Sequence, residues 1–139
     1  MLKIAFDKTY RHPLGENHRF PMIKYELIPE QLIRKNICSE SSFFVPAEIS
    51  KENVILTHQE LYYDQLLALA LSKADQRQIG FPLSEALVKR ERTIAQGSIQ
   101  NTQYALEHGI SMNIAGGTHH AFKNKPGAFC MLNDQAIAA

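Results

Sequence analysis

Two adjacent histidines, His119 and His120, are the side chains in this sequence that are best suited to chemistry. They directly follow Gly116, Gly117 and a threonine, and a short apolar stretch at residues 110–115 precedes the glycines. Histidine titrates near neutral pH, so one ring can accept a proton from water while its neighbour donates one to a leaving amine. Glycines let a backbone turn sharply and approach a ligand closely. The pattern predicts a proton-transfer site on a turn.

The elements that precede this turn predict an α/β protein. Apolar stretches at residues 2–6 and 110–115 are typical of strands. Between them, Ser84 can cap a long helix that Gly109 ends. This alternation indicates a largely parallel sheet, in which reactive groups gather beyond the carboxyl ends of the strands.

The segments between the first strand and the long helix carry weaker patterns. Residues 21–36 favour a helix, and Pro29 is expected to kink it or to begin a second one. Residues 43–45 and 54–56 favour short strands. Thr57 and Glu60 match a capping box for a helix at about residues 58–71. The predicted core positions on this helix and on the long helix are Leu61, Leu66, Leu67, Ala95, Ile99, Thr102 and Leu106.

The end of the sequence suggests an unfinished element. Asn133 and Asp134 are favoured cap residues, but only the five residues 135–139 follow them, which are too few for a stable isolated helix. We therefore expect a truncated chain. A half-sheet of this kind has an unpaired edge, through which the chain could self-associate.

The composition excludes two classes of partner. The 15 lysines and arginines nearly balance the 14 aspartates and glutamates, and a net charge of +1 attracts neither nucleic acid nor an anionic membrane. No secretory signal or apolar run of membrane-spanning length is visible. Cys38 and Cys130 lie far apart, without metal or redox spacing, which favours reduced thiols and a cytoplasmic location.

Residues 115–139 (AGGTHHAFKNKPGAFCMLNDQAIAA) closely resemble the histone deacetylase and acetylpolyamine amidohydrolase superfamily, in its bacterial, class IV-like branch. Residues 18–22 (HRFPM), 24–25 (KY) and 80–82 (GFP) extend the resemblance over essentially the whole chain. It implies a three-layer α/β/α fold with a mostly parallel sheet, present here as an incomplete N-terminal half. Residues 1–139 would then be the N-terminal part of a single deacetylase-type catalytic domain.

The resemblance also implies a zinc-dependent hydrolysis of N-acetyl amides such as acetyl-lysine. In that family, the histidines matching His119 and His120 flank a zinc-bound water, as general base and as general acid or electrostatic partner, with the assignment open. The family's zinc ligands, two aspartates and a histidine, and its carbonyl-polarising tyrosine would follow Ala139. Zn2+ is therefore expected in the complete protein, with no metal ligand in this chain, and we expect this chain alone to be inactive.

Five further residues are implied to contact the substrate. Gly117 and the segment Gly127, Ala128, Phe129 and Cys130 match the family's substrate-binding positions, with Phe129 lining the narrow tube for the acylated side chain. The family usually has glycine where this chain has Ala128, so the tube is expected to be narrower or shifted. Cys130 is expected to support the site without taking part in catalysis.

Other functions fit the same residues. The substrate could be an acetylpolyamine or another small acylated amine in place of acetyl-lysine. The chain could also be a non-catalytic fragment that acts as an assembly or interaction module. An arginase-like metal hydrolase is disfavoured, because its carboxylate- and histidine-rich metal loops do not occur in this sequence.

Overall fold

The computed structural model describes residues 2–139, and a small parallel sheet lies at its centre. The sheet consists of β1 (Lys3–Ala5), β2 (Phe43–Phe44) and β3 (Ser111–Asn113), in the order β2-β1-β3. Ile4 pairs with Phe43 on one side and with Met112 on the other. The predicted strands at residues 2–6, 43–45 and 110–115 are confirmed within narrower bounds, and so is the parallel α/β class.

Six α-helices surround the sheet in the described part of the chain. They are α1 (Lys24–Arg34), α2 (Lys51–Ile55), α3 (Glu60–Leu67), α4 (Lys73–Ile79), α5 (Glu85–His108) and α6 (Asp134–Ala138). Two short 3-10 turns, Lys8–Tyr10 and Glu40–Ser42, connect the strands to the helices. None of the helices within residues 2–139 combines the length and the apolar character that a membrane crossing requires.

The long helix α5 is the element that holds β1 and β3 in place. It begins where Ser84 accepts a hydrogen bond from the Leu87 N–H at 3.2 Å, and it ends at Gly109, which is left-handed with φ of 84°. Both ends were predicted. Asn113, at the end of β3, donates from Nδ2 to the Ile94 carbonyl of α5 at 3.0 Å and to Ser98 Oγ at 3.1 Å. The helix therefore sets the position of the strand that leads into the histidine turn.

Charged groups buried in α5 also fix the N-terminal segment. Arg90 and Glu91 form an ion pair and are 3% and 1% exposed. Arg90 Nε donates to the Tyr10 carbonyl at 2.7 Å. Burial raises the pKa of Glu91, and the neighbouring Arg90 opposes this shift.

Two of the predicted elements near residues 54–60 are wrong. Residues 54–56 were expected to be a strand, but α2 includes Val54, because the Ser50 hydroxyl caps this helix through the Asn53 N–H. Thr57 does not cap α3, which begins at Glu60 without a side-chain cap. The Thr57 hydroxyl instead donates to the Ala136 carbonyl at 3.3 Å. This tertiary hydrogen bond takes the place of the predicted helix cap.

The helices also bury a different set of residues. Leu61 and Leu67 are 69% and 40% exposed, whereas Leu66 and its neighbours Tyr62 and Tyr63 are buried, because α3 begins later and is shorter than predicted. The segment after residue 71, for which no element was predicted, contains the additional helix α4. On α5, Ala95 is buried and Ile99 half-buried, but Thr102 and Leu106 are exposed, because the end of this helix extends past the short sheet. Pro29 lies within a single helix, α1, where it is buried.

Candidate functional site

The two histidines lie on the turn that follows β3. Gly117 takes the left-handed conformation there, with φ of 91°, which a residue with a side chain rarely adopts. The rings of His119 and His120 are in contact, with centroids 4.2 Å apart and planes tilted by 39°. Both residues are exposed. The structure therefore brings two imidazoles together at the carboxyl end of a parallel strand, where the sequence predicted them.

Hydrogen bonding defines the proton position on one of the rings. Nδ1 of His119 lies 2.9 Å from the Gly117 carbonyl oxygen. A carbonyl can only accept, so Nδ1 donates in this geometry, and in the neutral ring Nε2 then carries the lone pair. His119 can therefore accept a proton at Nε2.

The Asp134 carboxylate holds the histidine turn through hydrogen bonds to Gly117 and Thr118. Its Oδ1 accepts from the Thr118 N–H at 2.6 Å and the Thr118 hydroxyl at 2.9 Å, and its Oδ2 accepts from the Gly117 N–H at 3.0 Å. The Ser98 hydroxyl of α5 donates to the same Oδ2. Asp134 was predicted only as a cap residue, and no local pattern indicated this longer-range role.

Asn133 and His58 hold the other end of the turn. Asn133 caps α6 as predicted, through the Ala136 N–H at 3.0 Å, and its Nδ2 also donates to the carbonyls of His119 and Ala121. His58 is 1% exposed and receives the Asn133 N–H at Nε2, 3.0 Å away, while Nδ1 faces the Phe122 carbonyl at 2.9 Å. Burial lowers the pKa of His58. This histidine is therefore a neutral structural link that sequence reasoning missed.

The segment 127–130 forms a tight turn beside the histidines. Gly127 and Cys130 exchange two backbone hydrogen bonds of 3.0 and 2.7 Å. Ala128 and Phe129 between them have φ values of 34° and 67°. Positive φ at both central residues is the type I′ pattern, which normally uses asparagine and glycine. Strained backbone of this kind clusters at functional sites.

The turn approaches the histidine backbone closely at Gly127. A Cβ atom at this position would lie 2.4 Å from the His120 carbonyl oxygen, so only glycine fits. Together the two turns border a cleft of about 370 Å3. Its lining residues are Gln78, His119, His120, Ala121, Phe122, Gly127 and Ala128.

Phe129 lies next to this cleft, in an aromatic cluster. Its ring centroid is 5.1 Å from that of Phe20 and 5.0 Å from that of Phe81. The Arg19 guanidinium lies 5.1 Å from the Phe129 ring centroid. The cluster unites residues from the 18–22, 80–82 and 127–130 stretches, so parts of three of the sequence segments that carried the resemblance meet in space.

Cys130 is buried behind the histidine turn, with 5% of its surface exposed. Its Sγ lies 3.5 Å from the Ala128 carbonyl oxygen. Burial raises the pKa of the thiol, while the backbone N–H of His120 acts in the opposite direction. A thiol in this environment stays protonated at neutral pH and is a poor nucleophile.

Within residues 2–139, no three His, Cys, Asp or Glu side chains lie close enough to hold a metal ion. His119 and His120 are two such groups on one turn, and the carboxylate that binds this turn, Asp134, accepts four hydrogen bonds. The described residues therefore do not form a zinc site by themselves.

Comparisons with known proteins identify relatives of this sequence. The sequence is 37% identical over 135 residues to an uncharacterized protein of Picosynechococcus, with 97% of this chain and 45% of that protein covered. It is 26% identical over 127 residues to histone deacetylase 2 of Arabidopsis thaliana, with 86% and 33% covered. The chain thus spans less than half the length of these relatives.

Solved structures and a domain model complete the comparison. The crystal structure of an HDAC homolog from Aquifex aeolicus superposes with a TM-score of 0.76 at 23% identity, and 99% of this chain and 40% of that chain are covered. This likeness confirms the predicted deacetylase-like α/β fold. The sequence model of the histone deacetylase domain matches residues 18–139. The chain therefore belongs to the histone deacetylase domain family.

Proposed function

We propose that the complete gene product is a cytoplasmic enzyme that hydrolyses N-acyl amides such as acetyl-lysine, and that His119 and His120 move the protons. Residues 1–139 would be the N-terminal part of its single catalytic domain. The observation that carries the proposal is the pair of imidazoles, 4.2 Å apart, on the border of a cleft. Membership of the histone deacetylase domain family supports the same reaction class.

The reaction requires two proton transfers, which suit two neighbouring rings. Water adds its oxygen to the acyl carbon and loses a proton to one imidazole. The C–N bond then breaks, and an imidazolium donates a proton to the departing nitrogen, so that a carboxylic acid and a free amine are formed. The lone pair on Nε2 of the neutral His119 ring fits the accepting role, which leaves the donating role to its neighbour His120.

The metal belongs to the proposal for the complete protein only. The family resemblance implies zinc, and we propose ligands for it outside residues 1–139, because no group of three or more His, Cys, Asp or Glu side chains that could hold a metal ion is found within residues 2–139. The part of the site described above contributes proton transfer and the placement of the acyl group.

The lining of the cleft supports acetyl-lysine over an acetylpolyamine. A polyamine carries further ammonium groups, which carboxylates in a binding site would favour. The lining residues of the cleft within the described chain include no aspartate or glutamate. We therefore propose an acylated side chain of a peptide as the substrate. Acetylated polyamines serve as the comparison in the assay.

The proposal is tested by turnover of an acetyl-lysine peptide by the complete gene product. His119→Asn and His120→Asn should each lower kcat/KM by about 10²- to 10⁴-fold, which is the usual contribution of a general acid or base. His108→Asn changes an exposed histidine at the end of α5 and serves as the matched control. Activities of both site variants within twofold of the parent would refute the proposal.

The 139-residue chain alone should show no turnover with zinc added. The comparison is a chain with both His119→Ala and His120→Ala, and equal rates are expected for the two. Turnover of the unaltered chain above this control would contradict our placement of the metal ligands outside it.

A non-catalytic assembly role is the second candidate, and the open edge of the sheet favours it. Within the described residues β3 is an edge strand, and Ile110 and Met112 beside that edge are 64% and 40% exposed. Unpaired edges with apolar side chains promote association. Size-exclusion chromatography of the chain should then show a dimer or larger species, and a monomer at all concentrations tested would exclude this role.

A further inference from the structure

Asp134 is a buried carboxylate whose partners all belong to, or support, the histidine turn. It is 1% exposed, and no ion pair to it is found within residues 2–139. Four uncharged donors from Gly117, Thr118 and Ser98 surround it instead. Hydrogen bonds to an ionised acceptor are roughly twice as strong as those between neutral groups. Burying a carboxylate is costly unless its oxygens are hydrogen-bonded, and both oxygens of Asp134 are.

The hydrogen bonds of Asp134 lead directly to the ring of His119. Oδ2 receives the N–H of Gly117, and the carbonyl of the same Gly117 lies 2.9 Å from Nδ1 of His119. Oδ1 receives the N–H of Thr118 at 2.6 Å, and this N–H belongs to the same planar peptide group as the Gly117 carbonyl. Fixing the Thr118 N–H on Asp134 therefore also fixes the carbonyl that binds Nδ1 of His119.

We propose that Asp134 is a positioning residue, which holds Gly117 and Thr118 so that His119 keeps its orientation and its free Nε2. The expected loss of turnover rests on the proposed function, whereas the expected change in the tautomer of the His119 ring does not. Residues that orient a reactive group in this way typically contribute 10- to 100-fold to activity.

Asp134→Asn is the most direct test, because the amide keeps the shape but not the acceptors. Its NH2 group must face either the Thr118 N–H or the Gly117 N–H, and a backbone donor cannot rotate away from it. One of the two hydrogen bonds is therefore lost in either orientation. Asp75→Asn is the matched control, since Asp75 is an exposed aspartate in the first turn of α4 whose carboxylate binds only local groups.

The first measurement reports on the ring and needs no activity. Nitrogen-15 NMR of the imidazoles distinguishes protonated from unprotonated Nδ1 and Nε2. In the parent, the neutral ring of His119 should show the Nδ1–H form. Asp134→Asn should shift His119 toward a mixture of tautomers, and Asp75→Asn should leave it unchanged. Unchanged imidazole signals in a folded Asp134→Asn protein would overturn the proposal.

The second measurement separates positioning from a general loss of structure. In the complete gene product, Asp134→Asn should lower kcat about 10- to 100-fold while KM stays within about twofold, because the cleft lining is retained. A kcat within twofold of the parent overturns the positioning role. If the parent has no deacylase activity but the imidazole signals of the variant shift, the proposed function fails and the positioning role stands.

Ser98→Ala is the second variant, in case Asp134→Asn does not fold. It removes one donor from Oδ2 without changing the turn or the charge. The His119 signals should move in the same direction as in Asp134→Asn, by a smaller amount. Ser98→Ala with signals identical to those of the parent would count against the proposal.

Discussion

Replacing Gly127 by alanine should push apart the two turns that border the cleft. The added Cβ would lie 2.4 Å from the His120 carbonyl oxygen and 3.3 Å from its carbonyl carbon. Ordinary contacts begin at 3.4 Å, so the oxygen and the new methyl group must separate by about 1 Å. Both partners are backbone-bound, so no flexible side chain can move to absorb the overlap.

The size of the effect follows from this displacement. Overpacking of a well-packed region costs about 1–3 kcal/mol. For a chain of 139 residues, 1 kcal/mol corresponds to about 3–4 °C in Tm, so Gly127→Ala should melt about 3–10 °C below the parent. A shift of about 1 Å in a catalytic group can reduce turnover by about 10²-fold, and kcat of the complete gene product should fall to that extent.

Thermal unfolding followed by circular dichroism measures the first effect, and the acetyl-lysine assay measures the second. Gly15→Ala is the matched control, because a Cβ at Gly15 meets nothing within 4 Å. It should melt within about 1 °C of the parent, as expected for an unobstructed glycine replacement at an exposed site. Equal melting temperatures of Gly127→Ala and Gly15→Ala would refute the close packing of the two turns.

Two further changes test the backbone strain and the buried histidine. Ala128→Gly should raise Tm by about 2–3 °C. The relief of left-handed strain, about 1–2 kcal/mol, exceeds the cost of the flexibility that glycine adds to the unfolded chain, about 0.5–1 kcal/mol. The control Ala105→Gly, within α5, should lower Tm. A Tm decrease for both variants contradicts the strain at residue 128. The lowered pKa of His58 means that the unfolded chain binds more protons than the folded chain as the pH falls below 6.5. The contribution of His58 to the free energy of unfolding is therefore fully present above that pH, and it is lost as the pH falls from 6.5 toward the folded pKa. A protonated Nε2 cannot accept the Asn133 N–H, so His58→Gln should reduce the loss of Tm between about pH 7.5 and about pH 5.5. The control His108→Gln should leave that loss unchanged. An unchanged loss in His58→Gln would exclude His58 as its cause.

The elements with local signals were predictable. The strands at residues 2–6 and 110–115 are short apolar runs between polar segments, and Ser84 and Gly109 carry their own capping chemistry, so the bounds of α5 could be read from the sequence. Each of these signals acts over a few residues and does not depend on the remainder of the fold.

The errors arose where a residue has a distant partner. Thr57 has the type and spacing of a helix cap, but its hydroxyl binds the Ala136 carbonyl, which lies 79 residues further along the chain. The 54–56 segment has strand-forming side chains, but the Ser50 cap and the packing of Val54 favour a helix. Local propensity is weak enough for such contacts to override it.

The site was predictable in its reactive groups but not in its support. The adjacency of His119 and His120 brings their rings together on any tight turn, and the glycines before them indicated that turn. Asp134 is 16 residues from Thr118, and its type equally favours a helix cap, so nothing in the sequence connected the two. The closeness of Gly127 to the His120 carbonyl is likewise a property of the assembled fold.

The order of the strands has a consequence for how the chain is synthesised and folded. β1 is made first but lies in the middle of the sheet, so Lys3 cannot pair with Ser111 until 108 further residues have been added. At a synthesis rate of about 5–20 residues per second this delay is about 5–20 s. Sheets closed by such distant pairings also form slowly once the chain is complete. Strand β1 therefore remains without one of its neighbours until β3 has been synthesised, and protection of that segment during synthesis bears directly on the yield of folded protein.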